Sequence, residues 1–492
     1  MSTHLKTAAP ELRRLTPQTL SGVLPGIAVP RYDRRAVQIG IVHFGPGAFH
    51  RGHQAWYMDA LLARDPRWAI CGAELRPPGF GPALVPQDCL YTVAELDADI
   101  HFRVIGSLKE YRSAKSDAEG IFARLTQKQI RLVTMTVTEK GYCLDGSGAL
   151  DFRHPDIVHD LAHPTQPVSI VGWVTEGLAR RKTIGLPPFI AMSCDNMVSN
   201  GEKLHAAVLK FADARGDKDL ASWIAGEVKF PSTMVDSITP AADEALKHKV
   251  AEAVGLSDEA PVQRENFLQW VVEDVLGDDA PDVASVGASL TNDVRAFELA
   301  KLRLLNGTHS TLAYVGLLMG YDSVAEAMKD PRLAGFVGTM MREDIAPTLR
   351  KTQGLNFETY STDILKRYRN PTLTHKLYQI ASDGTQKLPY RILGTIRDAL
   401  AAGRPIDRLA VPIAAWMRFV VREAKAGRTL ADPMSETLAK VGRACIGEAA
   451  RDLPRFLALG DVFPKNLATN QAFVAATAKA YDRFKTDNFL SD

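Results

Sequence analysis

Short apolar runs alternate with stretches of helical spacing along the first part of the chain. AVQIGIVHF (36–44) is a β-branched apolar run that stops at Gly45-Pro46-Gly47, and AFHRGHQAWYMDALLAR (48–64) then takes up helical spacing. RWAICGAEL (67–75), IRLVTMTVT (130–138) and PPFIAMSC (187–194) predict further strands. DAEGIFARLT (117–126) and GWVTEGLARRKTIG (172–185) predict helices between them. Strands that alternate with helices of about 10–15 residues imply a parallel sheet covered on both faces.

The pattern changes after about residue 290. DVRAFELAKLRLLNGTHSTLAYVGLLMG (293–320) carries one long helical periodicity, and PRLAGFVGTMMREDI, LPYRILGTIRDALAAG and VPIAAWMRFVVREAKAG continue in the same manner. Several of these segments end in Gly or restart at Pro. The expected architecture is an α/β, Rossmann-type dinucleotide-binding domain over 1–290, followed by a mainly α-helical substrate-binding and catalytic domain over 291–492.

Length supports two domains, because 492 residues exceed the size at which one core stops growing. A net charge of +2 and the absence of Lys/Arg blocks argue against nucleic acid and membrane surfaces as partners. The N-terminus MSTHLKTAAPELRRLTPQ has no apolar signal core, and no run of about 18 apolar residues occurs. Five scattered cysteines without a CxxC fit a reducing compartment, so a cytoplasmic protein is expected.

A strand that ends in Gly45-x-Gly47 and opens a helix is the first turn of a dinucleotide fold, where glycines let backbone N–H groups approach a pyrophosphate. The full G-x-G-x-x-G pattern needs Gly at position 50, where this chain has His50. A turn that merely joins strand to helix is the competing reading. Glu74, near the end of the second strand, can accept both adenosine ribose hydroxyls and favours NAD, whereas Arg76 could meet the 2′-phosphate of NADP. The cofactor-binding set is then Phe44, Gly45, Gly47, Ala48 and Phe49 at the turn, with Glu74, Arg76 and Thr138 at the following strand ends. His43, His50 and His53 cluster here without a carboxylate or Cys at ligand spacing, so packing is expected of them and no metal.

Beyond later strands lie Thr138-Glu139-Lys140-Gly141-Tyr142, Ser193-Cys194-Asp195-Asn196 and Met234-Val235-Asp236-Ser237, each also readable as a cap or turn. KLRLLNGTH (301–309) sets Lys301, Asn306 and His309 among leucines. On an α-helix Asn306 falls about 140° and His309 about 80° around from Lys301. A lysine desolvated by leucines is a general base tuned toward neutral pH, and Asn306 could hold a substrate oxygen. The alternative is a lysine that snorkels to solvent beside a core histidine.

Six segments together resemble the polyol-specific long-chain dehydrogenases, the mannitol dehydrogenase family that includes fructuronate reductase. They are HFGPGAFHRGHQ (43–54), TVTEKGYC (136–143), MSCDNMVSNG (192–201), STMVDSITP (232–240), KLRLLNGTHS (301–310) and SDGTQKLP (382–389). The resemblance covers nearly the whole chain. It implies a metal-independent oxidoreductase that uses NAD, with NADP open, on a small sugar acid or polyol, and a monomer is expected. Lys301 would be the base, Asn196 and Asn306 would stabilise the alkoxide-like oxygen, and His309 would bind substrate. Asp236 and Lys387 would contact substrate hydroxyls or a carboxylate, and Glu298 would relay protons to the base.

Two departures matter. Gln379 stands where mannitol dehydrogenases carry Arg, eight residues before Lys387, which with EKGYC points to the fructuronate reductase branch. The segment Pro77-Pro78-Gly79-Phe80 is shortened and lacks the polar residues of relatives. The expected substrate pair is D-mannonate and D-fructuronate. Alternatives are D-mannitol and D-fructose, D-arabinitol, a sugar-alcohol phosphate, or a nucleotide-binding regulator that has lost catalysis.

Overall fold

The computed structural model describes residues 12–77, 79–373, 375–485 and 490. Residues 1–11, part of the N-terminal stretch searched for a signal core, and Pro78 of the segment Pro77–Phe80 lie outside the described residues. The chain forms two compact units, Met1–Val294 and Arg295–Asp492.

Among the described residues, eleven strands lie in the first unit: β1 Ile39–Phe44, β2 Ala69–Glu74, β3 Tyr91–Leu96, β4 Ile100–Ile105, β5 Leu108–Ser113, β6 Leu132–Met135, β7 Ile190–Ser193, β8 Thr233–Asp236, β9 Val262–Glu265, β10 Gln269–Glu273 and β11 Ser289–Thr291. Five of them make a sheet in the order β5-β2-β1-β6-β7, with every pairing parallel. The chain winds outward from β1 to β5, then returns to β6 on the other side. That reversal creates a crevice beyond the carboxyl ends of β1 and β6, the place where such sheets take ligands.

Continuous apolar runs serve these strands because both faces are covered. Val42, Phe44, Cys71, Ala73, Val133 and Met135 pack in one core with Trp173 and Leu178 of the helix Ile170–Thr183. Ile41, Ile70, Leu132 and Met192 face the opposite core with Tyr57, Met58 and Leu61.

The two smaller sheets, β4-β3-β9 and β11-β10-β8, were not read from the pattern. β11 pairs with β10, which keeps the chain in the first unit until after Thr291. The boundary at Val294 therefore falls later than the division at 290 drawn from periodicity.

The helix expected over 48–64 is two pieces, Ala48–Gly52 and Gln54–Leu62, broken at His53 (φ −121°, ψ −92°). At the break the Tyr91 hydroxyl donates to the Arg51 carbonyl at 2.8 Å. Gly52 lies so close to β9 that a Cβ there would sit 3.2 Å from Val262. Tertiary packing thus outweighs a continuous helical pattern.

The second unit is helical. The helix Thr308–Met319 is buried on nearly all sides, and Asp407–Lys425 packs an apolar face that includes Trp416. The long helix expected over 293–320 contains a π segment, Lys301–Gly307, between α-helical Val294–Ala300 and Thr308–Met319. Two further π segments are Met340–Ile345 and Pro389–Leu393. Among the described residues, no helix is long and apolar enough to cross a membrane.

Candidate active site

Gly45 ends β1 with φ +84°, in the left-handed region, and a Cβ there would overlap the Thr136 carbonyl. Only glycine fits, for both reasons. Gly47 presents an open face, since the nearest atom to a Cβ at that position would be the Gly45 oxygen at 3.8 Å. Phe44 is fully buried in the sheet, while Ala48 and Phe49 open the short helix and are half-buried. That helix has only five residues, so its dipole adds less to anion binding than the sequence pattern suggested. What remains for a pyrophosphate is the turn itself.

The missing third glycine has a structural explanation. The rings of His43 and His50 stack with centroids 3.3 Å apart, both buried. Nδ1 of His43 bonds Thr134 Oγ1 at 2.7 Å, and its Nε2 meets Thr136 Oγ1 at 3.0 Å. Burial pushes the His43 pKa down to about 3. His50 is held far below its ordinary value by burial, with His43 and Arg51 beside it. Both rings are therefore neutral packing groups at neutral pH.

Glu74 closes β2 and is 8% exposed. Its Oε2 accepts a 2.8 Å bond from Tyr111 of β5, and the Tyr111 hydroxyl accepts the Phe80 N–H at 3.0 Å. The other oxygen, Oε1, is buried with no hydrogen-bond partner among the described residues. A Cβ on Gly79 would overlap this carboxylate, so the Gly79 backbone lies directly against it. A buried carboxylate oxygen lacking a donor is costly unless a ligand supplies one. Ribose hydroxyls beyond the end of β2 fit that requirement, and an NAD-type dinucleotide fits the residues present. Arg76 is ion-paired with Asp156.

Asp195, next after β7 and Cys194, clamps the end of β6. Its two oxygens accept the Val137 and Thr138 N–H groups, each at 2.9 Å, and the Tyr142 hydroxyl at 2.7 Å. β6 therefore stops at Met135, short of the predicted Thr138, and Thr138 adopts φ +66° and ψ 160°. Such a conformation in a β-branched residue persists only where surrounding bonds hold it. Burial raises the Asp195 pKa against these donors. Asn196 follows, exposed, and Asp236 is buried at the end of β8, in an antiparallel pairing with β10 rather than in the five-stranded sheet. Ligand atoms of Cys143, His154 and Asp156 lie within 4.8 Å of one another, a grouping the sequence did not suggest. Its Asp156 is the partner of Arg76, and Nδ1 of His154 accepts the Asp156 N–H at 3.2 Å.

In the second unit, Glu298 precedes Lys301 by one helical turn, and Lys301 is 8% exposed. The i→i+5 bonding of the π segment widens the turn, so each residue advances less around the axis than in an α-helix. Lys301 and Asn306 share that segment, which brings Asn306 nearer to the Lys301 face than α-geometry placed it. His309 stacks on Tyr368 with centroids 5.3 Å apart, and the His375 ring lies tilted against it at the same separation. Its Nε2 is buried without a partner among the described residues. Burial holds the ring well below the ordinary histidine pKa, helped by His375, Arg391, Arg367 and Lys387.

Lys387 is half-buried and reaches Ser382 Oγ at 3.2 Å and Asp383 at 3.7 Å. Gln379 is exposed, and its carbonyl accepts from Ser382. Gly307 lets two helical segments touch, for a Cβ there would lie 2.8 Å from the Arg391 carbonyl. Sequence reading passed over Tyr111, Asp195 as a clamp, and Gly307. A glycine inside an otherwise strong helical pattern was the one available signal.

A doubly wound sheet with a glycine turn and ribose acceptor, together with a helical unit carrying a buried lysine, defines a two-domain dinucleotide-dependent dehydrogenase. Residues 39–284 match the mannitol dehydrogenase Rossmann domain, and 293–485 match the mannitol dehydrogenase C-terminal domain. The chain belongs to the mannitol dehydrogenase family and is an oxidoreductase of its polyol and sugar-acid dehydrogenase class. It is 40% identical over 467 residues to the D-mannonate oxidoreductase of Escherichia coli (strain K12), covering 93% of this chain and 95% of that one. A mannitol 2-dehydrogenase of Phaeosphaeria nodorum is 36% identical over 499 residues, covering 98% and 86%. The Pseudomonas fluorescens mannitol 2-dehydrogenase, solved with NAD and D-mannitol, superposes with a TM-score of 0.79 at 35% identity over 97% of this chain and 98% of that one.

Proposed function

We propose that the protein interconverts a secondary alcohol and a ketone of an open-chain sugar acid, with D-mannonate and D-fructuronate as the pair, and uses NAD in preference to NADP. The observation that carries the catalytic reading is Lys301, buried at the start of the π segment that also holds Asn306. Desolvation is the means by which a lysine amine is tuned for general-base work.

Neutral Lys301 takes the carbinol hydroxyl proton, and in the reverse direction its ammonium returns that proton to the ketone oxygen. Asn306 donates to the oxygen as negative charge builds on it. His309, neutral, orients the same hydroxyl, and Glu298 passes the proton between Lys301 and solvent. Asn196, Asp236, Lys387 and Gln379 keep the substrate contacts that the family resemblance implies. No metal is assigned a role, because the lysine supplies the proton transfer. When bound, the nicotinamide ring accepts or supplies the hydride of the reacting carbon. Glu74 would hold the adenosine ribose, the Gly45–Gly47 turn the pyrophosphate, and Thr138 the chain end beside them. The preference for NAD is supported by Glu74 Oε1, which needs a donor, and by Arg76, which is engaged with Asp156.

The test is to follow NADH and NADPH absorbance with D-fructuronate, D-fructose, D-mannonate, D-mannitol and D-arabinitol in parallel. The proposal expects NADH with D-fructuronate to give the highest kcat/KM. Greater activity with D-fructose would assign the protein to mannitol oxidation. NADH binding without turnover of any sugar would make it a nucleotide-binding regulator.

A further inference from the structure

Arg391 lies in the π segment Pro389–Leu393, four residues after Lys387 and within reach of the KLRLLNGTH stretch. Its Nη1 donates to Ser310 Oγ at 3.1 Å and to the Asn306 carbonyl at 3.5 Å. Neither is a carboxylate, and Arg391 has no acidic partner among the described residues. The guanidinium has five N–H donors, and Nε and Nη2 are left with no protein acceptor among those residues. Gly307 brings the Arg391 backbone this close.

Half-buried cations are normally paired, since desolvation without compensation is expensive. Arg391 and Lys387 are close enough to weaken each other's neighbourhood: burial lowers the Lys387 pKa and Arg391 lowers it further. Asp383 answers Lys387 only at 3.7 Å and does not reach Arg391. Asp383 and Asp432 both offset Lys387, so the unpaired group of the cluster is Arg391, beside Asn306 and one turn from His309.

We propose that Arg391 is a specificity-determining residue that, with Lys387, receives the carboxylate of the sugar-acid substrate. The inference rests on the proposed reaction, whose oxygen-binding group is Asn306. A planar carboxylate matches the Nε/Nη2 edge of the guanidinium in two parallel hydrogen bonds, while Nη1 anchors the side chain to Ser310. A phosphate dianion fits less well, because Asp383 already offsets part of the Lys387 charge. Exposed Gln379 supplies no charge to this subsite.

The experiment compares three ketoses that differ only at C6: D-fructuronate, D-fructose and D-fructose 6-phosphate. Arg391→Gln should lower the kcat/KM ratio of D-fructuronate over D-fructose by roughly 10- to 100-fold, the size of a lost hydrogen bond to a charged group. Arg391→Lys, which keeps charge without the fork, should fall between. A ratio unchanged within about twofold, the noise of such comparisons, would overturn the assignment. So would a wild-type preference for the phosphate, which would mark a different anion site. If wild-type protein reduces D-fructose but not D-fructuronate, the subsite is wrong and the reaction class stands. If it reduces none of the three, the proposed reaction fails. Thermal stabilisation by D-mannonate that is present in wild-type protein and absent in Arg391→Gln would then still support the anion subsite, and its absence in both would overturn it.

Discussion

Tyr111 donates a 2.8 Å hydrogen bond to Glu74 and accepts the Phe80 N–H at 3.0 Å, so one phenol fixes both the ribose acceptor and the segment that lies over it. Tyr111→Phe should raise the NADH dissociation constant roughly 5- to 20-fold, the effect of losing one or two ordinary hydrogen bonds. Fluorescence titration of NADH binding checks this. An unchanged constant would show that Glu74 is held by its own packing.

Gly79 contacts the same carboxylate, and any side chain there overlaps it. Gly79→Ala is expected to weaken NADH binding more than Tyr111→Phe, because a methyl group must displace Glu74 rather than free it. The same titration reads the difference. Equal or smaller loss would mean that Gly79 or the Glu74 side chain shifts at little cost.

Gly307→Ala places a methyl group against the Arg391 backbone, which has no flexible end to give way. Overpacking of this kind costs about 1–3 kcal/mol. Denaturant unfolding should report that loss, and the KM for the sugar acid should rise with it as Arg391 moves from Ser310. A stable variant with an unchanged KM would separate the two helical segments functionally.

Acid should destabilise the fold earlier than carboxylate protonation alone explains. His43 is held neutral with a pKa of about 3, and His50 and His309 are pushed down in the same direction. Unfolded, each titrates near about 6.5 and binds a proton that the folded chain refuses, so stability rises with pH across that interval. The contribution is complete above about pH 6.5 and declines as pH falls toward 3. Unfolding free energies at pH 7.5 and about 5.5, measured for wild-type protein and His43→Gln, should show a smaller pH effect in the variant.

The parts of the fold that could be read in advance follow from burial. Strands β1, β2, β6 and β7 are covered on both faces, so they appear as unbroken apolar runs, and Gly45 marks where the first must turn. β3, β4 and β9 escaped notice because β4 is half-exposed and its pairing with Tyr91–Leu96 is antiparallel within an α/β pattern. The π turn at Lys301–Gly307 was hidden for a different reason. Apolar spacing over a long buried helix cannot distinguish i→i+4 from i→i+5 bonding across seven residues. Arg391 looked like an ordinary polar position in a helical run, and only its lack of a carboxylate partner among the described residues makes it notable.

The central claim is that Lys301 transfers the substrate proton. Its most direct test is the single-turnover rate of Lys301→Ala with NADH already bound and D-fructuronate added. NADH affinity should match the wild-type value while the rate falls by roughly 10²–10⁴-fold, the usual share of general acid–base catalysis. A rate near that of the wild type would contradict the account.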